Sequence, residues 1–157
     1  MYLETEKKMA VAIGQAYARS WTAARSSIEN LDLSKLYSPS IVWIDHGWYH
    51  TKIGLPAVTE LYQRLLNATE HMEITLLNVK PRGTDRYGNH LADYKFKVTG
   101  RSIKPILGNE TTAKDYDYQA VKILTYDPRT ELIVQLEEWS KKEFWLWFPS
   151  SGLSCCP

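Results

Sequence analysis

The stretch IVWIDHGWYHTKIGLPAV, residues 41–58, decides the fold. Ile41 to Asp45 is a short run of β-branched and aromatic residues and reads as a strand. Side chains alternate across a strand, so Trp43 and Asp45 share one face and Val42 and Ile44 the other. A carboxyl group on a buried face loses its hydration unless it is hydrogen-bonded, paired or neutralised. An acid held in that way is suited to moving protons near neutral pH. Residues 46–53 read as a loop rich in His and aromatics. Gly54 and Pro56 then open a helix over 56–67, with Val58, Leu61, Tyr62 and Leu65 on its apolar side.

Upstream, Met9, Ile13, Ala16, Tyr17, Trp21, Ala24 and Ile28 recur at helical spacing and predict a long helix over 5–29. A short second helix is expected from Leu33 to Tyr37, stopped before Pro39. Downstream the pattern turns to strands. Met72 to Lys80 is the first, ended by Pro81. Leu91 to Thr99 is the second, with Tyr94, Phe96 and Val98 on one face and Lys95 and Lys97 on the other. Tyr116 to Tyr126 and Leu132 to Trp139 form a hairpin across Asp127-Pro128-Arg129-Thr130. Three helices followed by a four-strand meander predict one α+β domain spanning residues 1–157. The sheet is antiparallel and bent, and a pocket is expected at its open end, which one long helix cannot fill.

Composition narrows the function classes. Across 157 residues the net charge is +1, which gives no electrostatic case for nucleic acid or an anionic membrane. No apolar run reaches the roughly 18 residues of a membrane span. Glu4 and Glu6 precede any apolar stretch, unlike a secretory signal. The cysteines, Cys155 and Cys156, are adjacent, so a disulfide framework is not expected and a cytoplasmic setting is. Six Trp and ten Tyr are unusual, and suit a core, an interface or a pocket for a flat apolar ligand. The aromatic tail over 143–157, with FWLWF at 144–148, is expected to cover the pocket or a homodimer interface.

This element order, with Leu36-Tyr37-Ser38-Pro39 leading into the first strand, then Gly54 and Pro56-Ala57-Val58, resembles the nuclear transport factor 2-like superfamily. That superfamily includes SnoaL-like polyketide cyclases, ketosteroid isomerases, limonene epoxide hydrolases and scytalone dehydratases. The resemblance covers residues 5–142. It implies a cone-shaped sheet with the three N-terminal helices on its concave face. It also places Asp45 where the isomerases keep a carboxylate base, and Tyr17 or Trp21 where they place a donating Tyr. Glu138 matches a carboxylate that the epoxide hydrolases carry on the last strand. Tyr116 and Tyr118 lie on the strand that bears the isomerases' second oxyanion-hole acid, but Ala120 stands at its position. Tyr94 and Phe96 replace the Arg and Asp of the epoxide-hydrolase triad.

The residues themselves support a matching set. Glu137 and Glu138 point to opposite faces, and Glu138 shares its face with Leu132, Val134 and Leu136, so it is the inward one. The expected catalytic set is Asp45, Glu138, Tyr116 and Tyr118, with the two phenols donating to a developing oxyanion. The expected substrate-binding set is Tyr17, Trp21, Arg25, Trp43, His46, Tyr94 and Phe96. Arg25 could orient a substrate oxygen or pair with Glu138. His46 and His50 are four apart in a loop with no third ligand in view, so no metal is expected. No phosphate loop, dinucleotide fingerprint or nucleophile elbow is present, so the chemistry is expected to need no cofactor. The leading reading is an isomerase or cyclase acting on an apolar, polycyclic, carbonyl-bearing small molecule. An epoxide hydrolase or dehydratase, or a non-catalytic dimeric binding module, are the rivals.

Overall fold

A computed structural model describes residues 2–47, 50–103 and 114–139. Helix α1 spans Tyr2–Ala24 and continues as a 3₁₀ segment, Arg25–Asn30. Strand β1 is Tyr37–Asp45, β2 His50–Ile53, α2 Leu55–Asn67, β3 Thr69–Thr84, β4 His90–Ser102, β5 Lys114–Asp127 and β6 Leu132–Trp139. The six strands form one sheet in the order β2-β1-β6-β5-β4-β3. β3 to β6 are the expected antiparallel meander, and β1 lies parallel to β6.

Two α-helices and six strands replace the expected three and four. The long helix stops at Ala24 because Arg25-Ser26-Ser27 breaks it. Ser26 Oγ donates to the Ala23 carbonyl at 2.8 Å, and Ser27 leaves helical geometry at φ −149°. The expected helix at Leu33–Tyr37 is a turn. Asp32 Oδ1 accepts from Ser34 N, and the N–H groups of Leu36 and Tyr37 both reach the Leu33 carbonyl. Tyr37 already belongs to β1, whose pairing with β6 shifts register between Tyr37 and Val42, across Pro39. The expected loop over 46–53 holds β2, which pairs antiparallel with β1 and sets Asp45 opposite His50. Pro81 does not end β3. This is an edge strand, where a missing N–H is tolerated, and the register slips between Pro81 and Gly83.

α2 starts at Gly54, whose φ of +91° favours glycine. Its buried side is Val58, Tyr62 and Leu66. α1 approaches the sheet closely at Gly14, where a Cβ would lie 2.5 Å from Tyr94 Cε1. The core sits between the two helices and the inner sheet face, and Tyr17, Tyr37, Trp43, Tyr62, Tyr94 and Phe96 are all at most 1% exposed within it. Tyr94, Phe96 and Val98 point inward, as their alternation predicts. On β6, Ile133 and Leu136 are the fully buried residues, so Leu132 and Val134 are not in phase with Leu136. The register shift between Thr125 and Tyr126 accounts for that change of parity. Trp48, Trp145, Trp147 and the 143–157 tail lie outside the described residues.

Candidate functional site

Register, not sequence proximity, builds the site. Asp45 on β1 pairs with His50 on β2 and Glu138 on β6; Glu138 pairs with Lys122 on β5, and Lys122 with Tyr94 on β4. Paired residues on adjacent strands share a face. One row of side chains therefore crosses the sheet from His50 through Asp45, Glu138 and Lys122 to Tyr94.

The row is an electrostatic network. Lys122, 4% exposed, forms an ion pair with Glu138 through its Nζ and Oε2. Trp43 Nε1 donates to the other Glu138 oxygen at 3.1 Å. The Lys122 ammonium lies 5.4 Å from the Tyr17 ring centroid and 5.6 Å from that of Trp43, a cation–π setting. Burial pushes the Glu138 carboxyl up. The Lys122 charge, with hydrogen bonds from Asp45, Lys122 and Trp43, outweighs burial and holds Glu138 below its ordinary value. Glu138, facing the ammonium and the indole N–H, is thereby held ionised. On its other side, Asp45 Oδ2 is 4.0 Å from His50 Nε2.

Aromatic side chains enclose this row. Trp21 stacks on Tyr62 at 3.7 Å between centroids, and the Tyr62 hydroxyl hydrogen-bonds to those of Tyr37 (2.7 Å) and Ser20 (2.8 Å). Burial raises the Tyr17 hydroxyl well above its ordinary pKa, and the charges of Glu138 and Asp45 push it further the same way. Tyr118 is also raised by burial, partly offset by Lys122. Tyr116 is raised by burial, with Arg25 opposing. All three remain neutral phenols, able to donate. Tyr116 lies across Gly100 on β4, where a Cβ would come within 2.4 Å of its hydroxyl oxygen.

The expected residues divide into three groups. Asp45, Glu138, Trp43, Tyr17, Trp21 and Phe96 lie in or around the row, with Phe96 at 5.0 Å from Tyr17. Tyr116 and Tyr118 share the inner face of β5, with ring centroids 6.1 Å apart. Three others are committed elsewhere. Arg25 does not pair with Glu138; its guanidinium donates to the Thr69 carbonyl at 3.1 Å and to Thr69 Oγ1 at 2.8 Å. His46 lies at the surface, against Glu137 at 3.3 Å and stacked on Trp139 at 4.5 Å. Tyr94 is in the row by register, but its hydroxyl donates to the Ala10 carbonyl at 2.6 Å and so ties the sheet to α1. A small open cleft bounded by Lys52, Ala57, Glu60, Leu61 and Arg64 lies along α2 and takes in none of the row.

Two members of the network escaped the sequence reading. Lys122 stands in phase with Tyr116, Tyr118 and Ala120, which marks it as inward. The sequence offers His50 only as a metal ligand, because β2 reads as loop. Among the described residues, no three His, Cys, Asp or Glu side chains cluster as a metal site.

Two helices laid on the inner face of a bent six-strand sheet define an α+β class that encloses a site between helix and sheet. Within that class, the chain has the nuclear transport factor 2-like fold. A candidate SnoaL-like polyketide cyclase from Jannaschia sp. CCS1 matches with a TM-score of 0.69 at 14% identity, covering 96% of this chain and 94% of that one. A candidate SnoaL-like polyketide cyclase from Shewanella denitrificans OS-217 matches with a TM-score of 0.67 at 16% identity, over 89% and 96%. A Catenulispora acidiphila protein with a ketosteroid isomerase-like fold, in complex with trimethylamine, matches with a TM-score of 0.64 at 16% identity, over 89% and 92%. No family model matches the chain, and no curated protein matches it by sequence.

Proposed function

We propose that this protein is a cofactor-independent isomerase or cyclase that works by acid–base catalysis on a polycyclic, carbonyl-bearing secondary metabolite, a polyketide or terpenoid. The observation that carries the reading is the placement of two carboxyl groups, Asp45 and Glu138, side by side across β1 and β6, with Lys122 holding the charge on Glu138. The Asp45 carboxylate removes a proton from the carbon beside the substrate's carbonyl, leaving an enolate, and then returns that proton to the enolate at its new position. Tyr118, Tyr116 and Tyr17 donate to the oxygen as charge develops, and Trp43 and Phe96 supply flat apolar walls. Each well-placed acid or base contributes roughly 10²–10⁴-fold.

The structural neighbours named as candidate cyclases support the reaction class on this fold, at a likeness that fixes the fold alone. A bicyclic ketone, 2-tetralone, tests it through exchange of its α-hydrogens in deuterium oxide, followed by proton NMR. Wild type should accelerate the exchange, and Asp45→Asn and Glu138→Gln should each slow it at least 10²-fold. Folded variants that keep the wild-type rate overturn the assignment.

The same reading includes a homodimer. Val121 (43% exposed) and Trp139 (40%) are register partners on the outer sheet face, and they offer an apolar patch for a second copy. Sedimentation of wild type beside Val121→Glu tests it: a monomer in both overturns the dimer.

A further inference from the structure

The outer face of the sheet sets a carboxylate inside an apolar field. Glu137 on β6 has Ile44 on β1 and Ile123 on β5 as its register partners. Two residues further along β6, Trp139 pairs with Val121, and on the other flank Val42 pairs with Ile53, which is 72% exposed. Two contacts hold the Glu137 carboxylate. Gln135 Nε2 donates to its Oε1 at 2.8 Å, and His46 Nε2 lies 3.3 Å from its Oε2. The His46 ring also stacks on Trp139, with 4.5 Å between centroids and 10° between planes. The His46 and Glu137 side chains remain partly in water, at 41% and 26% exposed. Among the described residues, the other charged groups near this patch belong to β4 and β5. Asp93 lies opposite Ile123 and 3.4 Å from Arg82, Lys95 lies opposite Val121, and Lys97 is 3.9 Å from Asp117. β2 presents the uncharged Thr51 and Ile53.

We propose that His46 and Glu137 make the dimer pH-sensitive: the two copies close over this pair and take up protons at His46 as they do so. This rests on the dimer reading above, in which a second copy covers Val121 and Trp139, and adds its regulation. A twofold contact sets the same patch on both copies, so each dimer covers two such pairs. An imidazole changes charge between about pH 5 and 8. With His46 neutral, the second copy strips water from a carboxylate that has hydrogen bonds but no counter-ion among the described residues, and that desolvation opposes association. With His46 protonated, the pair is covered with no net charge, and the imidazolium keeps the Trp139 face as a cation–π partner. The sign follows by linkage. The dimer binds more protons than two separate copies, so association strengthens as pH falls from about 8 to about 6 and weakens as it rises.

The test is sedimentation over a range of protein concentrations, at about pH 6 and about pH 8, in wild type, His46→Gln and Glu137→Gln, with folding confirmed by Trp fluorescence. Wild type should dimerise more tightly at the lower pH, by about 5–150-fold in dissociation constant. His46→Gln keeps a donor beside Glu137 but cannot take the proton, so its dimer should hold the weaker affinity at both pH values. Glu137→Gln leaves protonated His46 without its anion, so its dimer should no longer tighten on acidification. A wild-type dimer of equal affinity at both pH values overturns the switch and leaves the dimer standing. A pH response kept whole in either variant assigns it to other groups and also overturns the switch. Wild type that stays monomeric at both pH values overturns dimer and switch together.

Discussion

Replacing Lys122 by Met tests the network at the member that carries its charge balance. Lys122 is the positive partner of Glu138, and both sit behind Tyr17 and Trp43. Met keeps most of the volume and removes the ammonium. Glu138 then keeps Trp43 Nε1 at 3.1 Å and the Asp45 hydrogen bond, with no counter-ion. Breaking a buried ion pair from one side costs about 3–5 kcal/mol. At roughly 2–4 °C per kcal/mol for a chain of this size, the unfolding midpoint falls by about 6–20 °C. The loss has a pH signature. In wild type the Glu138 value lies below its unfolded one, so its contribution is present above the unfolded pKa, about 4.3, and is lost as pH falls through the folded value. In Lys122→Met, burial acts without the ammonium and the folded value rises above the unfolded one. The variant then loses stability as pH rises, so its deficit against wild type is largest at neutral pH and shrinks toward about pH 4. Urea unfolding followed by Trp fluorescence at several pH values measures both quantities. The double variant Lys122→Met/Glu138→Leu should recover most of the loss, because an apolar pair of similar volume is often neutral or stabilising by about 1–4 kcal/mol. A single variant within about 0.5 kcal/mol of wild type at pH 7, or a deficit that does not change with pH, would refute the network.

Two further outcomes are expected. Gly100→Ala places a methyl 2.4 Å from both the His71 carbonyl and the Tyr116 hydroxyl, and should lower stability by about 1–3 kcal/mol in thermal unfolding; an unchanged midpoint would mean Tyr116 does not lie across β4. Tyr62→Phe removes a hydroxyl bonded to both Tyr37 and Ser20, and should cost about 1–3 kcal/mol. Adding Tyr37→Phe should then cost less than it does alone, as a double-mutant cycle would show.

The legible parts were those where local pattern and burial agree. Tyr94, Phe96 and Val98 alternate with Lys95 and Lys97, and the structure buries the first set. Gly54 and Pro56 gave the start of α2 to within a residue of Leu55. Trp43 and Asp45 face inward, as one face of a five-residue strand requires. The misses follow from partners far along the chain. β2 is four residues, His-Thr-Lys-Ile, too short to show a period, and it exists because β1 is there to pair with it. Proline read as a stop at Pro81, but an edge strand has no neighbour waiting for that N–H. Arg25 was offered to Glu138 by its place on the helix stripe, yet the helix breaks there and turns it to Thr69.

The sequence by itself determined the α+β class and the inward faces of its clearest strands, because each follows from the spacing of apolar residues along a single element. Only the tertiary structure decided that Asp45 and Glu138 are register partners, that Lys122 is the counter-ion of Glu138 and that His50 stands beside Asp45. Those relations depend on strand order and register. β1 lies parallel to β6, more than eighty residues away in the chain, and no local pattern records which strand a distant one will choose or at which residue the two align.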